Sequence, residues 1–294
     1  MNTIVKCLMS LAFCSFFTAQ VFAQDEQTPK EETVDLPVKA TFNTNMLIDN
    51  QTVVQPFKGS INFEIYHRFS NFSNGIKDLY GVFGSANTRL GLEYGITDRF
   101  SVGVGTTKDH QLQDLNWKLA ILQQTQSGSI PVSISYFGNM VINASDKSEF
   151  GPLADYKVYH RLSYFTQLIV ARKFSKVFSF QVAPEFAYYN GIDNNYKNVN
   201  LGLSMGGRAK VLPSNSIIFE YDVPFFKNTT AAGDPPSPKP NLGLGWEVGT
   251  GTHCFQIFVA NYHDIIYQRN LVYNTQTGWN KNNLQVGFNI TVRF

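Results

Sequence analysis

Charge is scarce in this chain. Asp, Glu, Lys and Arg make up 16% of its 294 residues, against about 25% in an ordinary soluble domain. The net charge is +2, which offers little for a polyanion to hold, so no nucleic-acid partner is expected. Cysteine is scarcer still, at three residues. Cys7 and Cys14 lie in an N-terminal stretch expected to be removed, and a lone Cys254 cannot close an internal disulfide. Beyond that stretch no run of about 20 apolar residues occurs, which excludes a bundle of membrane-spanning helices. Aromatic residues, by contrast, are plentiful at 14%. Few charges, many aromatics and no long apolar run suit a sheet with one apolar and one polar face.

Residues 1–23 read as a secretory signal. Lys6 precedes an apolar stretch over 7–17, and Val21-Phe22-Ala23 places small residues at −3 and −1, so cleavage after Ala23 is expected. Residues 24–35 hold Asp25, Glu26, Glu31, Glu32 and Asp35 against one base, Lys30, the composition of a disordered acidic leader. Residues 36–58 read as an N-terminal extended segment or plug, and residues 40–55 within it leave three readings open: a plug inside a lumen, a periplasmic strand, or a loop.

From residue 59 to 294 the chain alternates. Leu284, Val286, Phe288, Ile290, Val292 and Phe294 share one parity, with Asn283, Gln285, Asn289, Thr291 and Arg293 on the other. Such period-two patterning marks a strand with one apolar face. It recurs around Ile61–Phe63–Ile65, Leu90–Leu92–Tyr94, Phe100–Val102–Val104, Phe178–Phe180–Val182, Val199–Leu201–Leu203, Ile217–Phe219–Tyr221 and Leu242–Leu244–Trp246. Weaker alternation marks 113–123, 130–142, 160–174 and 253–262. Many of these segments reach nine residues or more, the length a tilted transmembrane strand needs. Long connections near 70–85, 143–158, 189–197, 225–240 and 263–281, with a shorter one at 108–112, alternate with tight ones at 95–98, 124–129, 175–177, 213–215 and 250–252. The expected fold is therefore all-β: a transmembrane antiparallel β-barrel of about 12 strands, of the outer-membrane type, over residues 59–294. Both termini fall on the tight-turn side, expected to be periplasmic, and the Pro-rich 225–240 outside. Phe69, Tyr136, Tyr188, Tyr221, Tyr262 and Phe294 are expected near the two water interfaces.

Several segments resemble a known family. Tyr66-His67-Arg68-Phe69, residues 86–95 (ANTRLGLEYG), Ile96-Thr97-Asp98-Arg99 and residues 100–105 (FSVGVG) are similar to an uncharacterised β-barrel family of Bacteroidetes outer membranes, as is the stretch 41–48. Thr106-Thr107-Lys108 stand where that family's pattern has an arginine and serines. The resemblance spans roughly residues 40–125. It implies a membrane barrel and an outer-membrane address, and carries no established activity.

Signals of chemistry are sparse. His67, His110, His160, His253 and His263 have no close spacing and no CxxC companion, so no metal or cofactor is expected. Gly103-Val104-Gly105 precedes no helical pattern, so it is no phosphate loop. Gly202 to Gly207 suits a close-packed or lumen-facing strand. An outer-membrane lipid hydrolase, of phospholipase or lipid A deacylase type, would need a rim His/Ser pair. His67 and Ser70 stand three apart and so on opposite strand faces.

If the apolar parity faces lipid, the lumen receives Glu64, Arg68, Arg89, Glu93, Lys118, Glu185, Arg208, Glu220, Asp222 and Glu247. Such charges must be paired or hydrated, with Arg89, Arg208 and Lys118 as candidate partners for the acidic spot at Glu220 and Asp222. The role expected is non-enzymatic: a filled barrel of structural or docking type, or a channel for small solutes. Expected partners are outer-membrane lipid, the barrel-assembly machinery, which would read Phe294, and small solutes or a periplasmic protein.

Overall fold

The structure, a computed structural model, describes residues 35–150, 156–191, 196–227, 237–275 and 279–294. The expected signal, nearly all of the leader and the middle of the 225–240 loop lie outside the described residues. Residues from Leu36 to Phe294 form one compact unit.

Twelve antiparallel strands close into a barrel. They are β1 (Ile61–Asn71), β2 (Asn87–Thr97), β3 (Phe100–Thr107), β4 (Leu112–Leu122), β5 (Ser133–Asn143), β6 (Leu162–Lys173), β7 (Phe178–Tyr189), β8 (Val199–Leu212), β9 (Asn215–Pro224), β10 (Asn241–Gly249), β11 (His253–Ala260) and β12 (Gln285–Arg293). Each strand pairs with its sequence neighbours, and β1 closes on β12 with Ile65 opposite Ile290. At that seam Ile61 and Phe294 exchange backbone hydrogen bonds of 3.1 and 2.9 Å. An even number of strands thus brings both ends of the barrel chain to one rim, the rim of the tight turns.

The period of two decides which side chains face out. Leu90, Leu92, Val104, Leu201, Leu244 and Ile257 are exposed, while their neighbours Arg89, Glu93, Asn200 and Gln256 are buried. A sheet with apolar groups outside and polar groups inside is the reverse of a soluble sandwich, and it suits hydrocarbon as the outer solvent.

Four features depart from the sequence expectation. The turn expected at 124–129 occupies all of 123–132, because it pairs with the incoming chain. There Val38 donates to the Gln124 carbonyl at 2.7 Å and Gln126 to the Leu36 carbonyl at 2.9 Å. The β11–β12 connection contains a short helix, α1 (Tyr267–Tyr273), five of whose residues are buried. Tyr262, expected at a water interface, is buried inside against Phe42, Leu47 and Ile48. Its ring fills space that the inserted N-terminal segment leaves, and its hydroxyl donates to Glu220. The lumen is also not uniformly polar: Phe137, Val141, Phe165, Ile169, Ala171, Ala183 and Ala187 of β5–β7 are buried within it.

Candidate functional site: the plugged lumen

Of the three readings open for residues 40–55, the structure has the chain inside the lumen. It enters at the tight-turn rim, where Lys173 Nζ donates to the Lys39 carbonyl at 2.7 Å. It returns to the same rim, where Gln55 reaches the Asp98 carbonyl and the Lys58 amide reaches the Asp98 carboxylate, at 3.1 and 3.0 Å. Between these points it folds as a hairpin. Met46 bridges Gln51, Thr52 N donates to Asn45 O at 2.8 Å, and Leu47 N donates to Asn50 O at 2.9 Å across the turn. Asp-Asn beside the turn is what a tight reversal favours.

Local sequence explains why this hairpin can be buried. Its backbone groups cannot all pair within so short a hairpin, and a buried unpaired peptide group is costly. Asn, Gln and charged side chains of the wall meet them instead. The hairpin's apolar residues need space close to the wall, and glycine supplies it. A Cβ on Gly206 would overlap Leu47, and one on Gly243 would stand 2.8 Å from Ile48 Cδ1. The GLSMGG segment of β8 is therefore close-packed against an inserted element, with Gly202 similarly placed under Leu271 of α1.

The ten charged residues expected to line the lumen are all buried, and they divide into groups. Arg89 contacts Glu64 at 2.9 Å and Asp114 at 2.8 Å. Asp114, on weakly alternating β4, was not among the expected lumen charges, although its parity with Lys118 would have shown it. Arg208 contacts Glu247 at 2.9 Å. Glu93 accepts from Ser101 and from Asn45 of the hairpin, both at 2.7 Å. Glu185 accepts from Gln167 at 2.5 Å. Arg68 lies 3.5 Å from Asp49, at the hairpin tip.

The bases proposed for Glu220 and Asp222 are thus engaged elsewhere. Arg89 and Arg208 are committed to other acids, and Lys118 donates to the Val54 carbonyl at 2.8 Å. The acidic spot is met by the hairpin: Asp49 N and Asn50 N donate to Glu220 at 2.9 and 3.0 Å, and Asn50 Nδ2 to Asp222 at 2.5 Å. Sequence pairing arguments considered only wall charges, so a neutral partner from outside the wall escaped them.

Helix α1 folds in from the opposite, long-loop rim. Tyr267 stacks on Phe165 with centroids 5.2 Å apart and meets Phe137 edge-on at 5.1 Å. Gln268 donates to Asn139 and Ser163 at 3.2 and 3.1 Å. The two inserted elements touch: Gln51 Nε2 donates to the Tyr267 hydroxyl at 2.8 Å, and Asn270 donates to Asp49. At the rim, Arg269 pairs with Asp264 at 2.9 Å and meets His110 Nε2 at 2.9 Å. Burial, then the neighbouring Arg269 charge, lowers the His110 pKa.

The rim His/Ser pair needed for lipid hydrolysis is not assembled. His67 stacks on Phe288 on the outer face and its Nδ1 lies 2.8 Å from Thr88 Oγ1. Ser70, on the other parity, faces Gly84. Among the described residues, no group of three or more His, Cys, Asp or Glu is placed to hold a metal.

The model of the membrane-bound β-barrel domain family (DUF5777) matches residues 42–294. A sequence search of curated proteins returned no match. Among solved structures, an outer-membrane channel from Pseudomonas putida F1 aligns with TM-score 0.50 at 13% identity, over 82% of this chain and 97% of its own. The NanC porin aligns at 0.48 and 10% identity, over 80% and 98%. The KdgM porin aligns at 0.44 and 9% identity, with the same coverage. At these identities the likeness is one of fold.

Proposed function

This chain belongs to the family of membrane-bound β-barrel domains, and from that premise we propose that it is a self-plugged outer-membrane barrel, non-enzymatic and closed at rest. One observation carries the reading: the hairpin and α1 enter from opposite rims and meet, through Asp49–Asn270 and Gln51–Tyr267. Small solutes pass only once these elements move. The polar character of the hairpin's contacts favours movement, because water can replace amide partners without exposing a wholly apolar surface. In this reading the signal is cleaved after Ala23, the tight-turn rim faces the periplasm, lipid covers the apolar outer face, and the assembly machinery reads the exposed Phe294.

Planar-bilayer recording tests the proposal. The full chain is expected to show negligible steady conductance, and a chain lacking residues 36–55 frequent openings. Steady conductance of the full chain would contradict it. Protease on intact cells is expected to cut within 225–240 and spare Asp98; the reverse would invert the orientation.

A further inference from the structure

The hairpin's backbone is met by the wall along its length. From residue 45 to 51 every residue offers a main-chain group to a wall side chain. Lys118 takes the Asn45 carbonyl at 3.3 Å and Gln256 the Met46 carbonyl at 3.1 Å. Asn289 takes those of Leu47 and Ile48, at 3.4 and 2.8 Å, and Arg68 shares Ile48 at 3.1 Å. Glu220 takes the Asp49 and Asn50 amides, and Gln181 the Gln51 carbonyl at 2.7 Å. These contacts come from β1, β4, β7, β9, β11 and β12, so donors and acceptors converge on one chain path from most of the circumference. Side chains are read as well, by the glycine-lined recesses for Leu47 and Ile48, by Glu64 and Glu93 on Asn45, by Arg68 on Asp49, and by Asp222 and Gln167 on Asn50.

A wall that pairs a main-chain group on each of seven successive residues is a peptide-binding surface, occupied here in cis. We infer that the solute class this lumen takes, once the hairpin leaves, is short peptides with aliphatic side chains, for which residues 45–51 are an internal stand-in. The inference rests on the proposed reading of the hairpin as a displaceable plug. Peptide carbonyls and amides match the wall's five donors and the Glu220 carboxylate, whereas a neutral sugar offers hydroxyls at other spacings and no aliphatic group for the recesses.

The test uses the full chain, assembled and then cut at a specific protease site inserted between Lys58 and Gly59, with a fluorophore on an introduced Gln27→Cys. Anisotropy follows the cut segment, and bilayer conductance is recorded in parallel. Retention of the segment after cutting, followed by displacement with a synthetic peptide of residues 41–52, is the expected result. A second peptide of equal length that keeps only Asn45, Leu47, Ile48, Asp49 and Asn50 should act within about ten-fold of the first concentration, a difference of about 1.4 kcal/mol. A neutral hexasaccharide should not displace the segment. Displacement by the hexasaccharide as readily as by peptide, or no displacement by either peptide, would overturn the peptide inference. Conductance that stays absent after the segment has been displaced would instead overturn the plug reading, which separates the two failures.

Discussion

The two walls of the lumen solve the same problem by different chemistry. Across β1–β4 the interior is ionic: Arg89 between Glu64 and Asp114, and Glu93 beside Ser101. Across β5–β7 apolar side chains share it with amides and hydroxyls, and Phe137, Phe165 and Ile169 pack against α1 and Met46 of the hairpin. The ionic wall completes much of its pairing within itself. The apolar wall needs an inserted element to cover it, because exposed aromatic surface in a wet lumen would forfeit the hydrophobic contribution of its burial. One wall stiffens the barrel and the other recruits what fills it.

Expelling the hairpin should give the largest effect. Gly206→Phe puts an aromatic ring where Leu47 lies, so the hairpin cannot seat. A steady conductance absent from the wild type is expected in bilayers, with heat-modifiable migration retained. An equally silent Gly206→Phe barrel would show that the wall tolerates the ring and that the recess is unimportant.

On the ionic wall, Arg89→Ala leaves Glu64 and Asp114 buried without their cation. Removing one partner of a buried ion pair costs about 3–5 kcal/mol. The barrel should unfold at lower temperature on heat-modifiability gels, with little change in conductance. On the apolar wall the consequences reverse. Leu271→Ala removes a buried anchor of α1, a change that costs about 2–5 kcal/mol where neighbours cannot collapse. Amide exchange should quicken over 267–273 while the strands keep their protection. If both variants moved the same observable by the same amount, the contrast between the walls would fail.

The smallest effect concerns the rim. His110 Nε2 can accept from Arg269 only while that nitrogen is unprotonated, and its pKa is lowered in the closed state. The contribution to closure is therefore complete above the ordinary value of 6.5 and lost as pH falls through the lowered one. Protonation sets a second cation beside Arg269, with Asp264, Asp109 and Glu149 softening the repulsion. His263 also faces this cluster, 3.8 Å from Asp109. Exchange over 267–273 should quicken on acidification in the wild type and lose that dependence in His110→Gln.

The contrast between walls also explains what the sequence made legible. Strands with charged or amide residues inside, such as β2 and β9, alternate cleanly because their two faces differ in polarity. Weak alternation at 130–142 and 160–174 has the opposite cause. Phe137 and Val141, or Phe165 and Ile169, face inward while Tyr136, Met140, Tyr164 and Leu168 face outward, so both parities are apolar. Weak patterning there was a sign of an occupied lumen rather than of a poor strand. The ten charges that parity assigned to the interior are buried, and the same parity would have added Asp114. Their partners were not readable, because cross-strand register and the hairpin both lie outside a period-two argument. Helix α1 escaped for a related reason: seven residues are too few for helical periodicity to show, and its burial depends on a wall that the chain builds elsewhere.

The central claim is that residues 41–52 lie in the lumen against β8–β10, and a cross-link tests it most directly. In a Cys254→Ser background, Ile48→Cys with Gly243→Cys should place two Cβ atoms within reach of a disulfide, since Ile48 Cγ2 lies 3.4 Å from a Cβ built on Gly243. Spontaneous formation in membranes, shown by resistance of both thiols to alkylation until reduction, with conductance still absent, is the expected result. Two thiols that alkylate freely in a correctly folded barrel would contradict the account.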